Sequence, residues 1–178
     1  MKKITIAVIV IYTVFVLLAA CTSIGRSKLS LQDAIEQSAK EIAGELSPNS
    51  RVAIVAFKSA NDNLSEYIME ELNAELLKNK VRVVDRQNLQ HIQKELDFHM
   101  SGYVSDESAM SIGKFLGATV VITGELIDVG DAYRYRVSVI NVEEARRGTL
   151  IRHDVRNDQA MRRLVTTLGN QRIRNKGN

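Results

Sequence analysis

Residues 51–84 read RVAIVAFKSANDNLSEYIMEELNAELLKNKVRVV, and the way this stretch divides decides the fold. Arg51 to Phe57 is a short apolar run bounded by polar segments. Its length and its β-branched content indicate a buried strand. A polar loop from Lys58 to Asn63 follows, and Asn63 is placed to cap a helix with Glu66 at the third helical position. Leu64, Ile68, Leu72 and Leu76 then form an i,i+4 row, with Glu66, Glu70, Glu71 and Glu75 on other faces. Lys78 and Lys80 lie at the C-terminal end, where the helix dipole favours cations. Val81 to Val84 reads as a second strand. A strand, a helix and a strand joined by such short connections imply parallel pairing with a right-handed crossover.

On the N-terminal side, Ser30 can cap a helix with Asp33 three residues on, and Leu31, Ile35, Ala39, Ile42 and Leu46 make one apolar stripe. Ser47-Pro48-Asn49 ends it. On the C-terminal side, Asp85 can cap a helix over Arg86–Leu96, and Gly102 breaks the chain. Ser105 or Asp106 caps a further helix that runs to Leu116 and stops at Gly117. Thr119 to Val129 is a long strand, Gly130-Asp131 a hairpin turn. Tyr133 to Val142 alternates, with Tyr133, Tyr135, Val137 and Val139 on one side and Arg134, Arg136 and Ser138 on the other. Such alternation means one covered face and one wet face. Glu143 to Gly148 is the next turn, Thr149 to Arg156 the last strand, and 158–168 a closing helix. The fold class is therefore α/β (α+β): a five-stranded mixed sheet, βαβ followed by two helices and a three-strand meander, with helices packed on the sheet. The globular domain spans 31–168, and 169–178 reads as a disordered basic tail.

The first residues, MKKITIAVIVIYTVFVLLAAC, contain the single cysteine of the 178-residue chain. A basic head, an apolar run and small residues before Cys21 describe a secretory leader over residues 1–20. The apolar run from Ile4 to Ala20 would be about 26 Å long as a helix, short for a bilayer core of about 30 Å. Leu18-Ala19-Ala20-Cys21 resembles the bacterial lipobox. That resemblance implies cleavage between Ala20 and Cys21, and acylation of the Cys21 thiol. No aspartate follows Cys21; by the lipoprotein sorting rule, Thr22 directs the protein to the outer membrane facing the periplasm, with the inner membrane as the alternative. Residues 21–30 form a short polar linker that reaches at most about 26–30 Å over TSIGRSKL, 22–29.

Loss of the leader removes Lys2 and Lys3 and lowers the formal charge from +3 to +1. The exported chain is thus not strongly basic as a whole, and export separates it from cytoplasmic nucleic acid. One proline, no tryptophan and 5% aromatic residues describe an aliphatic core and exclude a proline-rich tether. Charge is uneven: Arg146 to Asn178 holds eight arginines and one lysine against Asp154 and Asp158. Contact with anionic head groups, cell-wall carboxylates or an acidic partner fits this excess, and so does a solvated strand face.

Few residues suggest catalysis. Ser111-Ile112-Gly113-Lys114 matches the S-x-x-K pattern of penicillin-recognising enzymes, but the partner K-T-G and S-D-N motifs are missing. His91, His99 and His153 include no i,i+4 pair that could ligate a metal from one helix. No strand-to-helix turn has a phosphate-binding glycine pattern. Gly113, Gly117 and Gly124 read as helix stops and close-packing points. Asn63-Leu64-Ser65 matches a glycosylation sequon and is read as a helix cap; the helix carboxylates are read as a solvated face. No catalytic, cofactor-binding or metal-binding residue is assigned, and the chain is read as a non-enzyme.

RVAIVAF, VVDRQNLQHIQKEL, SGYVSDES, IGKFLGATVVITGEL and NVEEARRGT occur in this order over residues 51–150. Together they resemble the CsgG-like domain shared by curli secretion lipoproteins and the LpoB activators of penicillin-binding proteins. The resemblance implies a lipid-anchored adaptor whose protein partner is a penicillin-binding cell-wall synthase, stimulated in peptidoglycan synthesis, with homo-oligomers possible. The alternative it carries is an outer-membrane export component of the curli type. That alternative needs membrane-spanning hairpins, and both long strands, at Thr119 and Tyr133, are needed for the sheet.

Overall fold

The computed structural model describes residues 27–84 and 104–175, with side chains described to 169. The leader, Ala20, Cys21, the expected Arg86–Leu96 helix, Gly102, His91 and His99 lie outside the described residues. Among the described residues, four helices and five strands follow in the order α1 (Leu31–Glu45), β1 (Arg51–Lys58), α2 (Asp62–Lys78), β2 (Arg82–Val83), α3 (Asp106–Phe115), β3 (Val120–Asp128), β4 (Ala132–Asn141), β5 (Arg146–Arg156) and α4 (Gln159–Asn175). The strands form one mixed sheet in the order β2-β1-β3-β4-β5. β1 is parallel to both β2 and β3, and β3, β4 and β5 form an antiparallel meander.

The order of the parallel strands puts helices on both faces. The β1-to-β2 crossover and the β2-to-β3 crossover run in opposite directions across the sheet, so both are right-handed only with α2 and α3 on opposite faces. Packing agrees. α1 packs on α2, which packs on α4 and β1. The row Leu64, Ile68, Leu72 and Leu76 has no solvent exposure, nor do Ile35, Ala39 and Ile42 of α1. Ile122, Tyr135, Val137, Val139 and Ile151 face this helix layer, and with Phe57 they complete an aliphatic core.

Local chemistry sets the element ends. Ser30 and Asp33 form the capping box expected for α1, with Asp33 N–H donating to Ser30 Oγ at 3.0 Å. For α2 the cap is Asn61 rather than Asn63: Asn61 Oδ1 accepts the Leu64 N–H at 2.9 Å. Asn63 lies inside the helix, and its amide donates to the Leu168 carbonyl at 2.7 Å. Glu75 is also not part of a solvated face; it is buried and held by Lys78 at 2.6 Å. Ser105 caps α3, and Gly117 stops it with φ of 64°. Gly113 and Gly124 are close-packing points: a methyl at Gly113 would lie 2.4 Å from Val121 Cγ1 and one at Gly124 2.2 Å from Phe57 Cε2.

Two boundaries differ from the sequence spacing by three residues or more. β5 starts at Arg146 rather than Thr149, because Asn141 Oδ1 accepts the N–H groups of Glu143 and Glu144 (both 3.0 Å) and tightens the turn. The ladder then shifts register between Ser138 and Ile140, opposite Gly148 and Thr149, so that Ile140 pairs with Arg147. α4 continues to Asn175, so 169–175 is helical rather than an unstructured tail.

Candidate docking surface

α3 is only ten residues long and covers one end of its face of the sheet. Gly113 seats it against Val121 and Val142. Beyond that end, alternation along the strands presents Thr123 and Glu125 from β3, Arg134, Arg136 and Ser138 from β4, and Leu150, Arg152 and Asp154 from β5. The wet face expected for β4 is therefore this one.

Cross-strand pairing organises its charges. Glu125 lies opposite Arg136, and Arg136 Nη1 donates to Glu125 Oε1 at 2.8 Å. Arg134 lies opposite Asp154, with Nε donating at 3.2 Å. Arg147 at the start of β5 forks onto Asp106 of α3, donating from Nε at 3.1 Å and from Nη2 at 2.7 and 2.8 Å. The Arg136–Glu125 and Arg147–Asp106 pairs border a hollow of about 240 Å³ whose walls include Lys58, Thr123, Ser138 and Leu150. Leu150 is 53% exposed. Arg152, opposite Arg136, has no ion-pair partner among the described residues. The result is a mixed-charge, mainly basic surface with an apolar residue at its edge.

The candidate catalytic groups are scattered. Ser111 sits on the exposed side of α3, and its hydroxyl donates to the Glu107 carbonyl of its own helix at 2.8 Å. His153 lies on the helix-layer side beside Tyr135, with ring centroids 6.5 Å apart. Its Nε2 is buried without a hydrogen bond, 3.6 Å from Glu41 Oε1. Burial pushes the Tyr135 phenol well above its ordinary range. The Ser38 hydroxyl beside it pulls the other way but is committed to the Ala34 carbonyl at 2.8 Å, leaving the Tyr135 hydroxyl unpaired. No group of three His, Cys, Asp or Glu side chains that could hold a metal occurs among the described residues.

The linker enters at the far edge of the sheet. Leu29 bridges Val155 in parallel: its N–H donates to the Asp154 carbonyl at 2.9 Å, and the Arg156 N–H donates to its carbonyl at 2.8 Å. Lys28 Nζ holds Asp131 at 2.6 Å and keeps its carboxyl below the usual range. Among the described residues no helix is long and apolar enough to cross a membrane. Sequence reasoning missed Arg147–Asp106 and Arg136–Glu125, because neither pair is close in sequence and only the sheet register brings them together.

Comparison with known structures finds the same fold. The LpoB C-terminal domain from Escherichia coli superposes with a TM-score of 0.58 at 16% identity, covering 70% of this chain and 97% of that one. The LpoB C-terminal domain from Salmonella enterica gives 0.56 at 15% identity, covering 72% and 96%. The NMR structure of E. coli LpoB gives 0.58 at 14%, covering 75% and 71%. Comparison with curated protein sequences finds no match. The sequence profile of the family described as peptidoglycan-synthase activator LpoB matches residues 32–139, well over half of the chain. The chain belongs to the LpoB family of peptidoglycan-synthase activators.

Proposed function

We propose that this protein is a lipid-anchored adaptor that docks on a peptidoglycan synthase of the penicillin-binding class and stimulates it. The match of residues 32–139 to the activator family carries this reading. The open sheet face supports it, because a non-catalytic activator needs a formed, polar and accessible surface, and this one is built on the rigid meander. Cys21 is the lipidation site and Ala20 the last leader residue, with the outer membrane, periplasmic side, as the location. The leader pattern in the sequence supports that part. With eight residues between Cys21 and Ser30, the domain stays within about 30 Å of its membrane. Reach to a synthase in the other membrane then requires the synthase to extend most of the way.

The test is direct. The chain without its leader is added to purified penicillin-binding synthases of the source cell, and glycan polymerisation and crosslinking are followed. Stimulation of one synthase is the expected result; no binding and no stimulation across all of them refutes the reading. Mass spectrometry of the natural product checks the anchor, and an unmodified Cys21 or a retained leader overturns it.

A further inference from the structure

Among the described residues, the outer edge of β5 is open along most of its length. The hydrogen bonds to Leu29 show which groups point outward: the Asp154 carbonyl and the Arg156 N–H. Backbone groups of alternate residues share a direction, so the N–H and C=O of Arg152 and Leu150 point outward as well. The linker makes one rung, at Val155, and no further rung to β5 among the described residues. The edge from Leu150 to His153 thus presents ladder groups with no backbone partner among the described residues, beside an exposed leucine.

Three occupants are possible for such an edge, and charge separates them. A second copy would pair β5 with β5 and bring Arg146, Arg147 and Arg152 of both chains to one seam. Like charges across a strand pair are destabilising, and basic residues on an edge are a known protection against self-pairing. The chain's own linker, continued in register from Leu29–Val155, would set Arg26 beside Arg152. An acidic extended segment meets neither conflict.

We infer that the β5 edge accepts an extended acidic strand from the partner protein, which adds to the sheet opposite Leu150 and Arg152. Main-chain bonds supply the affinity. Arg152 selects an acidic side chain, and Leu150, two residues away on the same open face, takes an apolar residue. The inference rests on the adaptor reading, because it assigns the surface by which the synthase would be held.

The experiment uses the full chain in detergent and three end-blocked octapeptides: a Glu–Val peptide, Glu-Thr-Val-Thr-Glu-Thr-Val-Thr, which sets Glu and Val two residues apart on one face; a Lys–Val peptide with Lys in place of Glu; and the Glu–Val peptide with alternate backbone nitrogens methylated. Amide hydrogen exchange is read at Leu150 and Arg152. The Glu–Val peptide should slow both at least tenfold, and the other two should not. Arg152→Glu should weaken the Glu–Val peptide at least fivefold with an unchanged melting temperature. No slowing at millimolar peptide, equal slowing by the Lys–Val peptide, or slowing that depends only on protein concentration overturns the inference. The synthase arm separates the two readings. A synthase stimulated equally by the wild type and by Arg152→Glu keeps the adaptor reading and removes the strand inference. Protection by the Glu–Val peptide with no synthase responding keeps the strand inference and removes the synthase.

Discussion

Gly124 sits mid-strand in β3, paired with Phe57 on one side and Val137 on the other. A methyl group there would lie 2.2 and 2.5 Å from two carbons of the Phe57 ring and 2.8 Å from the Arg136 carbonyl oxygen. Ordinary carbon contacts are about 3.5–4.0 Å, so the ring would have to retreat by more than an ångström. It has nowhere to go, being fully buried and packed on Tyr135 with centroids 5.5 Å apart. The Arg136 carbonyl is backbone of the neighbouring strand and moves only if the ladder does. Gly124→Ala should therefore cost about 3 kcal/mol, the upper end of overpacking penalties, and lower Tm by roughly 6–12 °C for a domain of this size. Urea unfolding followed by far-UV circular dichroism measures it. Phe57→Leu removes Cε2, the nearest clashing atom, and replaces the rigid ring with a side chain that can turn its Cδ carbons aside, so it should recover at least about 1 kcal/mol in the double variant relative to additivity. A loss below about 1 kcal/mol for Gly124→Ala alone, or additive effects within about 0.5 kcal/mol, would refute the packing argument.

Asn61→Ala should destabilise by about 1–2 kcal/mol, since it removes the α2 cap and a bond to the Val165 carbonyl, whereas Asn63→Ala should loosen α4 alone; hydrogen exchange of the two helices separates them. Tyr135 ionises less readily folded than unfolded, so its contribution is fully present below about pH 10 and is lost as pH rises above it; stability should fall by up to about 1.4 kcal/mol per pH unit there, and Tyr135→Phe should remove that slope. Asp33 and Asp131 are held below their ordinary value, so their contributions are present above about pH 4 and lost as pH falls further; Asp33→Asn should flatten the acid limb of a stability–pH curve. Ser111→Ala should leave synthase stimulation and Tm unchanged, and covalent labelling of Ser111 by a β-lactam would contradict that.

The periodic parts of the chain were legible in its sequence because burial imposes them. The Leu64–Leu76 row and the alternation from Tyr133 each match one covered face of an element, and the unbroken Arg51–Phe57 run matches a strand buried on both faces. What was not legible depends on choices between near-equivalent donors and acceptors. Asn61, Asp62 and Asn63 can each cap a helix, and the choice turns on the α4 backbone, which takes the Asn63 amide. The start of β5 turns on one asparagine side chain and on a register shift opposite Gly148. Glu75 falls on the rim of the apolar row and is buried only because α1 packs there, with Lys78 free to fold back over it. The candidate docking surface was half legible: alternation located its face, but its pairs join residues 11, 20 and 41 positions apart.

The two faces of the sheet answer different demands. The helix-layer face is aliphatic and closed, and its burial supplies most of the stability. The open face carries ion pairs that are about a third or more exposed, and exposed pairs are worth only about 0–1 kcal/mol each. Stability therefore does not explain why arginines concentrate there and along β5. Nor does solubility, which needs both signs interspersed rather than one strand with four arginines. Recognition does explain it, because a charged, preformed strand edge and face discriminate among partners at little cost to folding. It follows that charge reversal at Arg152 should separate docking from stability, whereas substitutions at Gly124, Phe57 and Asn61 should not. A protein in which every loss of synthase binding tracked a loss of Tm would not be built in this way.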